Sequence, residues 1–370
     1  MLPNCTRDLW EYLAQTKKTV VLYGMGNGAD KILSVFAERN ILVGGVFASD
    51  GFARGNLFHG MPVRTWNDIK AEFGAENVIV LLSFGTSRSE VLENILRIRA
   101  EAELYAPDVP AFGDTIFTRP FYEEHKEEFA ATRALLSDDE SRRIFDNILS
   151  YKLSGDIGYL LDAESDENEI FENIVHPKAI RSAADLGAYN GDTVRQLLER
   201  GEGNIEMIWA MEPDARNYKK LEAYAMGETR ARVIPVNAGA WDEETTLFFD
   251  KSGNRNASFE KNRSQTLADR PLKVSEVKAL PLDNVLNGAR VDYIKYDVEG
   301  SEREALDGSR ETLTAHTPTL LVSLYHRSED LYALPLHIQK IAPHYNGFYL
   351  RRMRGIPAWD INLYVTKEKI

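Results

Sequence analysis

Short apolar runs alternate with helically patterned segments over the first hundred residues. The runs Thr19–Tyr23, Leu42–Phe47 and Asn77–Ser83 are rich in β-branched side chains and are bounded by glycine or polar residues, as strands usually are. Segments Ala29–Arg39 and Trp66–Phe73 place apolar residues on one helical face. This order predicts a small parallel sheet of about four strands with crossover helices.

The next stretch, Ile116–Lys178, has helical patterns and no strand pattern. Ser137 and Glu140 have the spacing of a capping box ahead of an apolar helical face, which predicts that a helix begins there. The acidic run Asp162–Glu169 predicts a solvent-exposed loop. We therefore expect a helical connector.

From Arg181 onward the alternation of strands and helices returns. It predicts three parts: a Rossmann-like domain at residues 1–115, a connector at 116–180 and a larger α/β domain at 181–370. The seven strands predicted in the last part are Ser182–Leu186, Met207–Met211, Arg232–Val236, Asp292–Tyr296, Thr319–Leu324, Gly347–Arg351 and Ile361–Val365.

The first of these strands ends at Asp185 in a glycine-rich turn that opens a helix. Gly187 and Gly191 permit a tight turn and close approach of a ligand. A carboxylate would repel a pyrophosphate, so Asp185 favours a ligand with positive charge, such as an amino group or a sulfonium. Glu212 follows Gly191 by 21 residues, about where an acidic residue binds a ribose diol. Its neighbour Asp214 is alternatively a plain helix cap.

Other strand ends carry polar residues to the same edge of the sheet, where ligands bind in open parallel sheets. Lys295, Asp297 and Glu299 alternate along the end of the fourth strand and so share one face. The fifth strand delivers His326 to that edge. The other six histidines lack zinc spacing, and we predict no metal, although Asp297, Glu299 and His326 together offer donors that Mg²⁺ accepts.

These motifs, taken together, resemble the FkbM family of S-adenosylmethionine-dependent methyltransferases over about Arg181 to Lys367. The motifs that match are Asp185-x-Gly-Ala-x-x-Gly-Asp-Thr193, Glu212-Pro213, Ile294-Lys-x-Asp-Val-Glu-Gly300 with Glu302, and Val322-Ser-x-Tyr-His326. The resemblance implies a class I methyltransferase fold, in which the last strand of a seven-stranded Rossmann-like sheet is antiparallel. It also implies O-methylation, often of a sugar hydroxyl in a glycan or natural product.

Site roles carried over from the family are expectations for this chain. The methionine part of S-adenosyl-L-methionine would be held by Asp185 and by Gly187, Ala188, Tyr189, Asn190 and Gly191. Glu212 with Pro213 would bind the ribose, Asn237 and Ala238 would border the adenine, and Asp297 would face the methyl group. An alcohol is a poor nucleophile, so a base should help. Asp297 and His326 are the candidate bases, with Lys295 as an electrostatic aid and Glu299 beside them.

A second glycine turn, Gly24–Gly28, follows the first strand of the chain, and Asp50 lies 22 residues after Gly28. This spacing fits a dinucleotide fingerprint. Three interpretations stay open: a scaffold for docking or homo-oligomerisation, a nucleotide-sugar site, and an NAD site. Two other functions therefore compete with methyl transfer. One is a nucleotide-dependent oxidoreductase or epimerase, which would need a Tyr-x-x-x-Lys pair or similar. The other is a non-catalytic carbohydrate-binding protein.

The composition and charge of the chain limit the kinds of binding partner and the compartment that we expect for it. The chain of 370 residues has 57 acidic and 44 basic residues, a formal charge of −13, which argues against nucleic acid and anionic membranes. The single cysteine, Cys5, excludes an internal disulfide and favours a reducing compartment. The longest apolar stretches, such as Val78–Leu82, are far shorter than a membrane span. We expect a soluble cytoplasmic enzyme with a small-molecule or glycan acceptor.

Overall fold

The computed structural model describes residues 7–49, 51–250, 259–260 and 274–370. Cys5 and Asp50, on which two of the sequence inferences rest, lie outside the described residues. The described strands form two main sheets and one small sheet, which confirms the α/β fold class. No helix among the described residues is long and apolar enough to cross a membrane.

The first sheet has the strand order β3-β4-β2-β1-β5-β6. Its core pairs, β1 with β2 and β5, are parallel, as predicted. The sheet has six described strands instead of about four, because β3, β4 and β6 are too short to give a clear pattern. Its strands are β1 (Thr19–Tyr23), β2 (Val43–Phe47), β3 (Leu57–Phe58), β4 (Met61–Arg64), β5 (Val78–Leu82) and β6 (Glu103–Tyr105), and its helices are α1 (Leu9–Gln15), α2 (Asn27–Arg39), α3 (Trp66–Phe73) and α4 (Ser89–Glu101).

The connecting segment is helical, as predicted, but two local expectations were wrong. The N-cap of α7 is Asp138, whose carboxylate accepts from the Ser141 amide at 2.7 Å, whereas Ser137 pairs with Phe348 in the second sheet. The acidic run is not simply solvated, because Glu167 accepts a hydrogen bond from Gln196 at 2.8 Å. The helices are α5 (Arg119–Glu124), α6 (Lys126–Leu135), α7 (Asp139–Ser154), α8 (Gly158–Leu161) and α9 (Glu167–Ile170), followed by a π-helical turn (Phe171–Val175).

The second sheet has seven strands in the order β16-β17-β15-β14-β7-β8-β9. The last strand, β17, runs antiparallel to β15 and β16, and the central pairs are parallel, as a class I methyltransferase fold requires. The predicted bounds of these strands agree with the structure to within one residue. The strands are β7 (Ser182–Leu186), β8 (Met207–Met211), β9 (Arg232–Val236), β14 (Tyr293–Tyr296), β15 (Thr319–Ser323), β16 (Gly347–Arg352) and β17 (Ile361–Thr366).

A small four-stranded sheet, not predicted from the sequence, is inserted between β9 and β14. Its strands are β10 (Gly239–Ala240), β11 (Thr245–Asp250), β12 (Phe259–Glu260) and β13 (Val274–Leu280). The helices of this half are α10 (Asp192–Arg200), α11 (Ala215–Gly227), α12 (Leu282–Leu286), α13 (Glu302–Asp307), α14 (Arg310–His316) and α15 (Asp330–Ile341).

The two main sheets present their carboxyl edges to each other. The loop after β5 pairs with the loop between β16 and β17, where the amides and carbonyls of Thr86 and Ile356 exchange hydrogen bonds of 2.8 and 2.9 Å. The segment after β6 reaches the ends of β14 and β15, since the Phe112 amide donates to the His326 carbonyl at 2.8 Å and its ring lies against Gly300. Loops of the first sheet therefore lie on the edge of the second sheet at which a ligand is expected.

Candidate active site

The glycine turn after β7 passes directly over the end of β14. Gly187 has φ +88°, and a Cβ at this position would collide with the carbonyl oxygen of Asp297. Gly191, with φ +86°, is the N-cap of α10 and leaves that helix start without a side-chain cap. The turn thus needs a residue without a side chain at position 187, both for its backbone angle and for its close approach to Asp297.

A buried ammonium group connects this turn to β14. Nζ of Lys295 lies 3.1 Å from Oδ1 of Asp185, 3.3 Å from the carbonyl of Gly187 and 3.6 Å from Oδ2 of Asp297. Thr193 donates a further hydrogen bond to Asp185. Burial lowers the pKa of Lys295, but the carboxylates of Asp185 and Asp297 outweigh it and raise the pKa above its usual value. The negative charge of Asp185, which the sequence assigned to a cationic ligand, is therefore already paired within the protein.

Glu212, at the end of β8, is held by two backbone amides. Its Oε2 accepts from Tyr189 at 2.9 Å and its Oε1 from Asp214 at 2.8 Å. Burial raises the pKa of Glu212 to about 7 although both hydrogen bonds lower it. Asp214 caps α11 through the amides of Arg216 and Asn217, which is the plain role that the sequence left open for it.

Four other predicted cofactor residues lie around Glu212. Asn237 donates its amide to the carbonyl of Glu212 at 2.9 Å, and Ala238 beside it is buried. Tyr189 is 43% exposed and has φ +47°. In Asn190, Oδ1 is buried and has no hydrogen-bond partner. The turn therefore offers an unused acceptor close to the site expected for a cationic ligand.

A group of carboxylates surrounds His326 at the ends of β14 and β15. Nδ1 of His326 lies 2.9 Å from Oε1 of Glu302, and Nε2 lies 3.6 Å from Asp297 and 3.5 Å from Glu299. The Tyr325 hydroxyl donates to Asp297 at 3.0 Å. Burial lowers the pKa of His326, but these carboxylates, Glu302 first, raise it to about 10. Partial burial raises the pKa of Asp297, but Lys295 and His326 bring it below the usual value.

The predicted catalytic residues therefore lie close together, but their side chains differ in exposure to solvent. His326 is 1% exposed, whereas the side chains of Asp297 and Glu299 are 31% and 43% exposed. Sequence reasoning gave no role to Asp360, which comes from the loop before β17 and lies near Asp297. No motif marks Asp360, since only the antiparallel pairing of β17 with β15 brings it to this edge.

A cleft of about 260 Å³ opens between the second sheet and α10. Acidic and aromatic side chains line it, and Asp297 stands in its wall. Its lining includes Asp185, Lys295, Asp360, Asn362, Tyr293 and Tyr364.

Residues 185–349 match the family model described as the methyltransferase FkbM domain. Over these residues the chain is similar to FkbM methyltransferase domains. The resemblance seen in its motifs is thereby confirmed, and Asp185, Glu212, Asp297 and His326 all lie within the matched residues.

The fold of the whole chain recurs in a solved structure. The crystal structure of methyltransferase FkbM from Methylobacillus flagellatus KT is similar with a TM-score of 0.70 and 21% identity, covering 98% of this chain and 94% of that one. The similarity therefore includes the N-terminal sheet as well as the FkbM domain. Comparison with curated protein sequences gave no match.

Lower similarity is found to other solved methyltransferases. Precorrin-6y C5,15-methyltransferase from Geobacter metallireducens GS-15 has a TM-score of 0.33 and 10% identity, covering 56% of this chain and 94% of that one. Aeropyrum pernix fibrillarin, solved with natively bound S-adenosyl-L-methionine, has a TM-score of 0.31 and 12% identity. The match covers 50% of this chain and 66% of that one.

The close approach of the FkbM glycine turn to Asp297 gives a stability prediction. Gly187→Ala should lower the free energy of unfolding by several kcal/mol, because the new Cβ displaces a backbone carbonyl as well as straining φ. Gly203→Ala is the matched control, since Gly203 has φ +85° with nothing near its Cβ position, and should cost about 1–2 kcal/mol. Urea unfolding of both variants measures the difference; equal losses would contradict the contact.

Proposed function

We propose that this chain is an S-adenosylmethionine-dependent O-methyltransferase that acts on a hydroxyl of a sugar, glycan or related natural product. The observation that carries the proposal is the acidic cleft that opens beside Asp297 within an FkbM domain. The proposal covers the cofactor, the acceptor class and the roles of single residues.

The glycine turn and β8 fit the cofactor. The buried, unpartnered Oδ1 of Asn190 can accept from an α-ammonium group. Glu212 has lone pairs left beyond its two backbone donors, so its carboxylate can accept from a ribose diol. Asn237 donates through Nδ2 to the carbonyls of Glu212 and Pro213, which leaves its Oδ1 to accept from an adenine amino group. These are the residues that would hold S-adenosyl-L-methionine.

The chemistry needs little from the protein beyond alignment and one base. When bound, the cofactor supplies a methyl group on a sulfonium; an S–C bond breaks, an O–C bond forms and the hydroxyl proton must leave. Asp297 is the first candidate to take that proton, because it lines the cleft and is partly exposed. His326 is too deeply buried to touch an acceptor directly, so it acts through Asp297 and Glu299.

The cleft suits a polyol. Carboxylates such as Asp297 and Asp360 can accept hydrogen bonds from hydroxyl groups, and the partly buried Phe171 and Met353 in the lining can contact the apolar side of a sugar ring. The volume of about 260 Å³ lies just below the range of typical ligand pockets, roughly 300–1,000 Å³. It therefore suits one sugar unit of an acceptor that continues outside.

For the N-terminal glycine turn we propose the scaffold role. A Cβ at Gly24 would lie 2.6 Å from the ring of Phe84, and one at Gly28 would collide with the carbonyl of Ser83. Both glycines are therefore explained by close packing of the loop after β5. That same loop pairs with Ile356 of the FkbM domain, so the turn supports docking of the two sheets. An oxidoreductase or epimerase function has less support, since the Tyr-x-x-x-Lys spacing of this sequence, Tyr122 with Lys126, lies in the helical connector and Tyr122 is buried there.

The first prediction concerns cofactor affinity. Glu212→Gln should weaken S-adenosylmethionine binding about 10- to 100-fold at pH 8, because a charged acceptor for the diol is lost. In the wild type, lowering the pH from 8 to 6 should weaken binding roughly 10-fold, because the carboxyl with pKa about 7 becomes protonated. The variant should show no such change. Calorimetry measures both, with Glu222→Gln on α11 as control; identical pH profiles would contradict the assignment.

The second prediction concerns turnover. Asp297→Asn keeps the shape of the side chain and removes its basicity, so turnover should fall about 100-fold or more while cofactor affinity changes only a few-fold. The measurement is methyl transfer from labelled cofactor to candidate glycans, followed by mass spectrometry. Near-normal turnover in Asp297→Asn would remove Asp297 from the reaction.

The third prediction tests the scaffold role of the N-terminal turn. UDP-glucose, UDP and NAD should leave the melting temperature unchanged in a thermal shift assay. A true site at 100 times its dissociation constant would stabilise the protein by about 2.7 kcal/mol, a shift of several degrees. Such a shift with UDP-glucose, absent with glucose, would contradict the scaffold proposal.

A further inference from the structure

The imidazole of His326 occupies an unusual position for a histidine. It is 1% exposed; Nδ1 lies 2.9 Å from Oε1 of Glu302, whereas Nε2 has no partner within hydrogen-bond distance among the described residues. Its Nε2 points between two carboxylates, those of Asp297 and Glu299. A buried polar group without a partner is costly, so a missing partner at this point has to be considered.

The distances around Nε2 suit two ligands of one metal ion. Asp297 and Glu299 lie 3.6 and 3.5 Å from Nε2, which is too long for hydrogen bonds. Ligands bound at about 2.1 Å in a tetrahedral site lie about 3.4 Å from each other. Asp297, Glu302 and His326 can each bring a donor atom within 4.8 Å of the others.

Glu302 has the position of a supporting residue. Its Oε1 accepts from the Val298 amide at 2.8 Å and lies 2.9 Å from Nδ1 of His326. Carboxylates commonly fix metal-binding histidines in this way through the second ring nitrogen. Glu302 thus orients the ring so that Nε2 faces the two outer carboxylates.

The charge of the surroundings favours a cation. The ammonium of Lys295, which lies 3.6 Å from Asp297, is shared with Asp185, and the Arg327 guanidinium donates to the carbonyl of Gly300. The carboxylates that surround His326 and Lys295 are those of Asp297, Glu299, Glu302, Asp330 and Asp360.

We propose that the chain binds one divalent transition-metal ion through Nε2 of His326 and the carboxylates of Asp297 and Glu299, with Glu302 as the orienting residue. The sequence prediction of no metal is replaced by this proposal. It rests on the proposed function, in which the ion would act as a Lewis acid that lowers the pKa of the acceptor hydroxyl, and the carboxylate oxygen of Asp297 that does not bind the ion would take the proton. Asp297 and Glu299 are partly exposed, so the fourth position can open toward the acceptor.

Co²⁺ is a suitable probe, because its visible absorption intensifies in a four-coordinate site. The full chain, without a polyhistidine tag and after chelator treatment, is titrated with Co²⁺ and then with Zn²⁺ as competitor. We expect one equivalent of Co²⁺ with tetrahedral absorption, displaced by Zn²⁺. Glu299→Gln, a substitution of a partly exposed residue, should weaken binding at least 10-fold. Glu304→Gln on α13, the helix that also carries Glu302, is the matched control and should leave binding unchanged.

Binding of S-adenosylmethionine to the same metal-free preparation separates this inference from the proposed function. If the cofactor binds but Co²⁺ does not, or if Co²⁺ binds equally well to wild type, Glu299→Gln and His326→Gln, the metal site is wrong and the function stands. If the cofactor does not bind, the proposed function fails whatever Co²⁺ does.

Discussion

The buried ammonium of Lys295 is the interaction on which the site depends. It joins the ends of two neighbouring parallel strands, because Asp185 belongs to β7 and Lys295 to β14, and it also binds the carbonyl of Gly187 in the turn between them. Removing a charge from water costs several kcal/mol, and only a close opposite charge offsets this. The pair is set by the register of β14 against β7, and the Gly187 carbonyl adds a contact from the glycine turn. Strand pairing, the conformation of the turn and the position of the candidate base are linked by one cation.

The ion pair of Lys295 with Asp185 also determines which charged groups of the site remain available to a ligand. Asp185 is used within the protein, so in the proposed function the ammonium of the cofactor is left to the unpartnered Oδ1 of Asn190 and the ribose to Glu212. On the other side of Lys295, Asp297 keeps Oδ1 directed to Tyr325 and His326. The residues proposed for the cofactor and for the acceptor thus lie on different sides of a single buried cation.

Sequence reasoning predicted the strands of the second sheet and the set of residues at its edge, because parallel strands bring their carboxyl ends together. It missed what depends on contacts between distant segments. The pairing of Lys295 with Asp185 needs the register of β14 against β7, and Asp360 reaches the site only through the antiparallel return of β17. The N-cap of α7 was placed one residue early, because Ser137 is used by β16, a partner 211 residues away.

The two glycine turns show why a motif alone does not define a site. In both, a glycine lacks a Cβ because another segment of the chain lies against it: the carbonyl of Asp297 at Gly187 and the ring of Phe84 at Gly24. What differs is the chemistry around the turn. At the first sheet Tyr23 stacks on the ring of Phe47 at 4.6 Å and packs edge-on against Phe84 at 5.0 Å, so the edge is filled with apolar surface that fits docking. At the second sheet the same backbone shape is surrounded by charged groups, which would be too costly to bury unless they serve a ligand or a reaction.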